Sequence, residues 1–517
     1  MDLASGYPDA CGTPFLAEPF RFLLILCTFV GIMTERNYII INNDLSYRMK
    51  NYLVFSMAAL LIGASSCSTK QQEKAAEGFT GAPGEVKLIT LDPGHFHAAL
   101  VQKVSYPQVS KDVYVYAPTG FDVEEHLKRI EGFNTRAENP TEWNEIVYTG
   151  PDFLEKMLAE KKGNVMVQAG NNGKKTEYIK KTLEAGINVL SDKPMAIDSR
   201  NFKLLEECFA IAKQKNVLLY DIMTERNEIT TMLQRELSTI PAVYGEQLPG
   251  TPEEPAIVKE SVHHLFKLVD NKPLTRPVWY FDVNQQGEGI VDVTTHLVDL
   301  VQWEAFPNQI IDYKKDIELL DANRWATPIS REEFKQVTAT EPYPEFLQKD
   351  VKNDTLQLFC NGDILYKIKG VTAKVSVIWN YTFPEGGGDT HFSVMKGSKA
   401  DLVIRQGKEQ NYRPELYVEA AEGVDLAAYE KDLTASMEKI AAAYPGVTLN
   451  KIKDGVWLVD IPTKYRVGHE AHFGQVTEHY LEYLKDGKLP DWEVPNMLAK
   501  YYVTTSALDL AKSKDAK

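Results

Sequence analysis

The chain has 517 residues, 44% of them hydrophobic and 25% charged, which is the composition of an ordinary globular protein with room for two or three domains. Its formal net charge of −15 argues against nucleic acid as a partner, because phosphate backbones are bound by a basic face. The sequence contains no internal repeat of fold-defining length and no low-complexity run.

The segment MKNYLVFSMAALLIGASSC (49–67) has the features of an export signal. A lysine near the start is followed by an apolar stretch too short to span a membrane comfortably, and small residues precede a cysteine. The segment resembles a bacterial lipoprotein signal. This resemblance implies that Cys67 is lipidated. No aspartate follows the cysteine directly and no strong acidic run follows it, which favours an anchor in the outer membrane of a Gram-negative bacterium, facing the periplasm, over surface display. The alternative is a plain hydrophobic anchor.

Met49 can serve as the start of this signal, so we interpret residues 1–66 as an upstream extension and signal peptide. Residues 67–85 are polar with interspersed glycine and proline, as expected of a tether. Beyond the tether, Cys208 and Cys360 are expected to be free thiols, since nothing indicates a disulfide framework. We expect contact with the membrane only through the lipid anchor.

Between residues 86 and 222, short apolar runs alternate with helical patterns. Strands are predicted at 86–91, 112–118, 164–170, 187–194 and 217–222, and helices at 97–104, 151–160, 174–186 and 199–216. Strands separated by helices of this length indicate a parallel sheet with right-handed crossovers. The sequence therefore predicts an α/β protein whose first domain, 86–222, is a Rossmann-type, doubly wound dinucleotide-binding domain.

From about residue 255 the sequence consists mainly of β-branched and aromatic runs linked by short turns. Strands are predicted at 277–283, 354–360, 363–383, 391–397 and 400–407, helices at 292–304 and 427–443, and a helical C-terminus. We assign residues 223–517 to an α+β domain with a large open, mostly antiparallel sheet.

A lysine follows the strand in NVLSDKPMAI (188–197). Pro194 biases Lys193 towards an extended conformation, so its side chain is presented at the carboxyl end of the strand. Ligands bind at this edge of a parallel sheet. The alternative is a solvated charge in a turn.

The run QGEGIVDVTTHLVDLVQW (286–303) carries a second polar pair. Asp292 and His296 are four residues apart, and in a helix they would share a face. An aspartate beside a histidine can form a tuned general base. The same two residues could instead ligate a metal, or act as a helix cap and a solvated histidine.

Three motifs together resemble the glucose–fructose oxidoreductase/inositol dehydrogenase (Gfo/Idh/MocA) family. They are SDKP after a strand, the preceding helix with N-x-x-K-x-E and LEAG, and the later run G-x-G-x-x-D-x-x-x-H-x-x-D-L. The resemblance covers residues 86–517 and implies a bound NAD or NADP. It implies that Lys193 contacts the substrate hydroxyl, that His296 takes the hydroxyl proton and that Asp292 supports both. It also implies C-terminal helices that return to the first domain, and homo-oligomers. Burial is expected to lower the pKa of Lys193, which would make it a proton relay.

The phosphate-binding turn departs from this family, which has G-x-G-x-x-G after the first strand. Here the turn reads LDPGHFHAAL (91–100), with Gly94 as its one glycine. Either histidines and main-chain amides replace the glycine cradle, or the cofactor lies differently, or it is absent. His95 and His97 could also form half of a metal site, but no carboxylate or cysteine partner is evident, so we predict no metal.

The predicted cofactor contacts combine this turn with the ends of two later strands. They are Gly94, His95, Phe96, His97, Gly170, Asn171, Asp192 and Lys193. The predicted substrate contacts are Asn284 and Gln285, in a turn rich in amides, and Arg226.

A periplasm has no ordinary soluble nicotinamide pool, so an exported enzyme of this type has to hold its cofactor tightly and regenerate it in the same site. This indicates hydride shuttling between two sugars, or a redox-neutral reaction in which the hydride returns to the same substrate. We predict an NAD(P)-dependent oxidoreductase that acts on a secondary hydroxyl of a sugar or glycoside. One alternative is a redox-neutral glycosidase or lyase with a retained NAD. The other is a non-catalytic carbohydrate-binding lipoprotein.

Overall fold

The computed structural model describes residues 78–269, 272–384 and 386–515, and these belong to one compact unit. The signal segment, Cys67 and most of the tether lie outside the described residues. No helix in the described ranges is long and apolar enough to cross a membrane.

The first part of the unit is a six-stranded parallel sheet in the order β3-β2-β1-β4-β5-β6. Its strands are β1 Leu88–Leu91, β2 Asp112–Ala117, β3 Asn144–Thr149, β4 Val165–Gln168, β5 Asn188–Asp192 and β6 Leu219–Ile222. The connecting helices are α1 His97–Leu100, α2 Phe121–Thr135, α3 Phe153–Glu160, α4 Asn172–Glu184 and α5 Ser199–Lys215. This is the strand order of a Rossmann fold, which confirms the predicted fold class.

The second sheet has ten strands in the order β10-β12-β13-β7-β14-β15-β16-β18-β17, with β11 paired to β12. They are β7 Ile257–His264, β10 Ile317–Ser330, β11 Val351–Lys352, β12 Thr355–Ile368, β13 Val371–Asn380, β14 Thr390–Lys396, β15 Ala400–Gln406, β16 Glu415–Ala420, β17 Thr448–Lys453 and β18 Val456–Asp460. Two short strands, β8 Leu268–Val269 and β9 Lys272–Pro273, pair separately. Within the described ranges only β13 and β7 of this sheet pair in parallel, so the predicted mostly antiparallel sheet is confirmed.

The helices of this second part are α6 Ile229–Ser238, α7 Thr294–Ala305, α8 Tyr313–Asp316, α9 Arg331–Thr338, α10 Leu426–Ala443, α11 His469–Asp486 and α12 Glu493–Asp515. The last helix is buried on two faces. Met497 and Tyr501 belong to the core of the parallel sheet, whereas Ala499 and Val503 belong to the core of the second sheet. Since each pair is spaced four residues apart, α12 lies between the two cores and packs on both.

Three local predictions are wrong. The strands predicted at 354–360 and 363–383 are divided elsewhere, because β12 continues to Ile368 and β13 begins at Val371. Residues 277–283 are not a strand: Val278–Phe281 form a 3₁₀ turn that starts after Pro277. The aromatic side chains there are buried in a cluster with Phe334. The aromatic residues of this segment therefore reflect its burial in the core, and they do not require an extended backbone. The helix predicted at 97–104 is one turn long, and the chain then continues through turns.

Candidate active site

The carboxyl edge of the parallel sheet faces the second sheet across a cavity of about 570 Å³. Its walls come from the ends of β1, β5 and β6, from α7, and from β7, β13 and β14. Six of the ten histidines of the chain line it, an enrichment that marks the cavity as a chemical site: His95, His97, His263, His296, His391 and His469.

Lys193 lies directly after β5 and is paired with Asp292 in the cavity wall. Its Nζ is 2.7 Å from Oδ1 of Asp292, and the two side chains are 10% and 8% exposed. The Lys193–Pro194 peptide bond is cis. Burial alone would lower the pKa of Lys193, but the charges of Asp292 and Asp192 outweigh it and the pKa is raised. Lys193 is therefore a persistent cation, and the expected lowering of its pKa is wrong.

Asp292 does not share a helix face with His296, because α7 begins only at Thr294. The aspartate follows a 3₁₀ turn at Gly289–Val291 and has the backbone angles φ −96° and ψ −92°. A Cβ on Gly289 would lie 1.8 Å from the carbonyl oxygen of Cys360, so only glycine lets this turn pack on β12. The turn aims Asp292 at Lys193, and Gln286 Nε2 donates to its second oxygen at 2.9 Å.

His296 lines the same cavity from the first turn of α7. Its Nδ1 is buried and has no hydrogen-bond partner among the described residues. Burial, followed by the charge of Lys193, holds the pKa of His296 well below its usual value, so the imidazole is neutral. No hydrogen bond joins Asp292 to His296 in the described chain, so the expected aspartate-oriented base is not formed in this arrangement.

The turn after β1 packs against the end of β4. The amides of Gly94 and His95 both donate to the carbonyl of Ala169, at 3.0 and 3.1 Å. A Cβ on Gly94 would lie 3.1 Å from Trp279, and one on Gly170 would lie 2.6 Å from the carbonyl oxygen of Asp92. The backbone at Gly94 and Gly170 is therefore closely packed, with no room for a side chain at either position. The amides of Gly94 and His95 are already hydrogen-bonded, so they do not form a free anion cradle.

Two smaller cavities extend from the main one along the sheet edge. One of about 230 Å³ shares His95 and Phe96 with the main cavity. A second, of about 240 Å³, continues this smaller cavity to the end of β2, and both are lined by Asp122. His126 and Arg129 of α2 line the middle cavity, and both ring nitrogens of His126 are buried without a partner in the described chain. An extended dinucleotide could occupy this path, with Arg129 of α2 available to a phosphate group in place of the glycine-rich turn.

Most of the other residues predicted to contact the cofactor lie in the wall of the main cavity. They are His97, Gly170, Asp192 and Lys193. Asn171 does not line it; its side chain caps α4 by accepting from the amide of Gly173.

The predicted substrate contacts at Asn284 and Gln285 are corrected by the structure, because neither residue lines the cavity. The side chain of Gln285 accepts from Asn171 at 2.7 Å and donates to Asp282 at 3.0 Å. The neighbouring Gln286 lines the cavity instead.

Arg226 is corrected as well, since it lies in a buried ion network behind the cavity. It donates to both oxygens of Asp299, at 2.6 and 2.7 Å, and to Glu493 at 2.8 Å. Lys500 bridges Asp299 and Asp221 at 2.9 and 2.8 Å. Arg226 therefore ties the segment after β6 to α7 and α12, and no part of it lines the cavity.

The cavity wall on the second sheet was not identified from the sequence. His263 stacks on Trp379 with ring centroids 4.8 Å apart, and its Nδ1 is 3.4 Å from Asp389. Lys267 pairs with the same carboxylate. The position of His263 near the end of β7 is the one signal that could have indicated it, because strand ends border clefts.

Comparison with known proteins follows the two halves of this fold. The family description "Oxidoreductase family, NAD-binding Rossmann fold" matches residues 123–221, and "Putative oxidoreductase C terminal domain" matches residues 233–512. A crystal structure described as a putative oxidoreductase from Parabacteroides merdae ATCC 43184 is 88% identical, covers 85% of this chain and 100% of its own, and has a TM-score of 0.84. The chain is therefore an oxidoreductase with an NAD-binding Rossmann fold. It belongs to the Gfo/Idh/MocA family.

More distant structures share the fold. One described as a putative oxidoreductase from Thermotoga maritima is 14% identical, covers 83% of this chain and 98% of its own, and has a TM-score of 0.52. Levoglucosan dehydrogenase in complex with NADH and levoglucosan is 12% identical with the same coverage and a TM-score of 0.53. The search of curated proteins gives no match. The Rossmann match begins after the turn at Gly94, where this chain departs from the family pattern.

Proposed function

We propose that the protein oxidises a secondary hydroxyl group of a sugar or glycoside, with tightly bound NAD or NADP as the hydride acceptor. The observation that carries the proposal is the Lys193–Asp292 ion pair, 2.7 Å long, in the wall of a cavity at the carboxyl edge of the Rossmann sheet, with a neutral His296 in the same wall. Alcohol oxidation needs a hydride acceptor and a base in one geometry, and a nearby cation stabilises the alkoxide charge that develops.

The cofactor would lie along the three connected cavities. Gly94, Phe96 and Gly170 would form the surface at the turn, and the guanidinium of Arg129 would pair with a phosphate group. When bound, the dinucleotide supplies the hydride-accepting nicotinamide.

The side chains at the wall divide the remaining work. The Lys193 ammonium donates a hydrogen bond to the substrate oxygen and stabilises negative charge that develops there. The neutral imidazole of His296 accepts the hydroxyl proton. Asp292, held by Gln286, fixes the position of the lysine rather than that of the histidine.

The wall on the second sheet favours a sugar as the substrate. It combines aromatic surface from Trp379 and Tyr280 with the polar groups of His263, Lys267 and Asp389. Sugars present both C–H faces, which pack on aromatic rings, and hydroxyl groups, which pair with charged and polar groups.

A redox-neutral cleavage of a glycoside is the second candidate, and it is favoured by Glu225. Burial and the nearby Glu228 raise the pKa of Glu225 to about 7, and both carboxyl groups line the cavity. A carboxyl group with such a pKa can exchange protons with a leaving group near neutral pH.

The test is a screen of free sugars and glycosides against the purified protein with added NAD or NADP, with the formation of reduced nicotinamide and of cleaved product both measured. Net oxidation favours the first candidate, and cleavage without net reduction favours the second. Lys193→Met should lower either turnover by about 10²-fold or more. Lys156→Met is the matched control, because it removes a surface lysine that pairs with Glu160 at 2.8 Å. Equal turnover in wild type and Lys193→Met would contradict the proposal.

We also propose that the protein works in the periplasm as a lipoprotein anchored through Cys67, and that it forms homo-oligomers. The lipobox-like sequence and the family resemblance support these two points. Light scattering of the purified protein tests the second, and a monomeric mass would contradict it.

A further inference from the structure

We propose that His95, His97 and Asp192 bind a divalent transition-metal ion of the zinc type in the wall of the main cavity, with one coordination position open to the cavity. The two histidines lie on the turn after β1 and at the start of α1, and the aspartate is the last residue of β5. All three residues line the cavity.

The ligand atoms are close to the spacing that a metal needs. Nδ1 of His97 is 3.0 Å and Nδ1 of His95 is 3.9 Å from the same oxygen of Asp192, and one ligand atom from each of the three residues lies within 4.8 Å of the others. In a tetrahedral site with bonds of about 2.0–2.1 Å, ligand atoms are separated by about 3.4 Å. The ligand atoms are thus close to this spacing. Metal binding requires Nδ1 of His95 to approach Asp192 and to give up the amide of His97, which donates to it at 3.4 Å.

The surroundings hold the ligands in place. The buried Lys175 donates to the backbone carbonyl of Asp192 at 2.8 Å, and the ring of His97 packs on Phe473 with centroids 4.6 Å apart. Packing and hydrogen bonds of this kind orient ligands and tune a bound metal.

The burial of the three side chains is graded. Asp192 and His97 are 6% and 11% exposed, whereas His95 is 20% exposed. Three protein ligands with one side towards a cavity is the arrangement of metal sites that exchange water for a substrate oxygen.

Two buried lysines lie next to the ligands. Lys193, the next residue along the chain, pairs with Asp292 at 2.7 Å, and Lys175 donates to the backbone carbonyl of Asp192. The carboxylate of Asp192 faces the imidazoles, 3.0 Å from Nδ1 of His97. It comes from the end of β5, which is distant from His95 and His97 in the sequence.

A metal here would lie in the wall of the same cavity as Lys193 and His296, and its open position suits a hydroxyl or carbonyl oxygen of the substrate. The binding site itself does not depend on the proposed function. It is therefore tested without substrate and without dinucleotide.

The experiment loads the purified protein with Zn²⁺, dialyses it, and measures the metal retained per chain by elemental analysis. Replacing Zn²⁺ with Co²⁺ adds a visible spectrum that reports the coordination geometry. Wild type should retain close to one equivalent, and Tm should rise when Zn²⁺ is added, because a ligand that binds only the folded state stabilises it. His97→Ala and Asp192→Asn should retain little metal, and their Tm should not respond to it.

His391→Ala is the matched control, since it removes another histidine of the same cavity and should retain the metal. Circular dichroism verifies that each variant is folded, and Asp192→Asn, which keeps the shape of the side chain, provides a second readout if His97→Ala does not fold. The proposal is overturned if wild type retains almost no metal, or if the ligand variants retain as much as wild type. In that case His95 and His97 are cofactor contacts only, which dinucleotide binding to the same samples shows separately.

Discussion

The imidazole of His296 is kept neutral in a cavity that also holds a buried cation. We expect His296→Ala to lower kcat by about 10²–10⁴-fold, the range for loss of a general base, with little change in KM. The matched control is His479→Ala, which removes an exposed histidine of α11. The measurement is steady-state kinetics on the substrate that the screen identifies. Equal kcat values in the two variants would show that His296 does not act as the base.

Glu225 should make the stability of the protein depend on pH. Burial and Glu228 raise its pKa from 4.5 to about 7, so the folded state holds a proton that the unfolded state releases. Stability is therefore lost as pH rises from about 4.5 through about 7, by up to about 3 kcal/mol.

Urea unfolding across this range, on wild type and Glu225→Gln, tests this expectation. The variant has no charge to bury, so its stability should fall less than that of wild type as pH rises. Glu253→Gln, at an exposed position, controls for the change in net charge. Parallel pH profiles for wild type and Glu225→Gln would show that Glu225 titrates normally.

The sequence was informative about single residues where a motif fixed the local backbone. Lys193 could be predicted because a proline follows it at the end of a strand, and the structure places it in the cavity wall. The partnership of Asp192 with His97 could not be predicted, because it depends on how the ends of β1 and β5 meet in space. Arg226 was misinterpreted because the carboxylates that engage it come from α7 and α12, distant in the sequence.

At the scale of elements, α7, α12 and the segment after β6 are joined by buried charges. Arg226→Met leaves Glu493 buried without its cation, and removal of one partner of a buried pair costs about 3–5 kcal/mol. We expect this loss in the free energy of unfolding measured with urea.

Lys156→Met serves as the control for this prediction. Its pair with Glu160 is at the surface, where a pair contributes about 0–1 kcal/mol. A loss for Arg226→Met no larger than that of the control would contradict the network. A raised KM without loss of stability would instead support the predicted contact between Arg226 and the substrate.

Some elements were missed because their sequence lacks a burial pattern. The strand β3, NEIVYT, lies at the edge of the parallel sheet with all of its residues exposed or half-buried, and its apolar run has only three residues, 146–148. The helix α2 buries only Val123, His126 and Ile130, which is too few for a clear stripe. By contrast, β4 and β5 are fully buried, and their short apolar runs at 165–167 and 189–190 made them evident as strands.

At the scale of the whole molecule, the proposed lipid anchor predicts where the protein is found. Cells fed a labelled fatty acid should incorporate it into the wild-type protein, and Cys67→Ser should abolish both the label and fractionation with the outer membrane. Cys208→Ser is the matched control, since it removes a buried free thiol of α5 and should keep the label. Label retained in Cys67→Ser would contradict the lipoprotein assignment.

The central claim is that this Rossmann domain holds a dinucleotide even though its turn has a single glycine. The most direct measurement is to denature the purified protein and quantify the NAD(H) and NADP(H) that it releases. We expect the wild-type protein to release close to one dinucleotide per chain. Gly94→Val should release little dinucleotide, because its side chain would meet Trp279 within about 3.1 Å, and Gly132→Ala should release as much as wild type, because its Cβ has open space. No dinucleotide released, and none bound when either is added in excess, would contradict the oxidoreductase function and leave a sugar-binding protein.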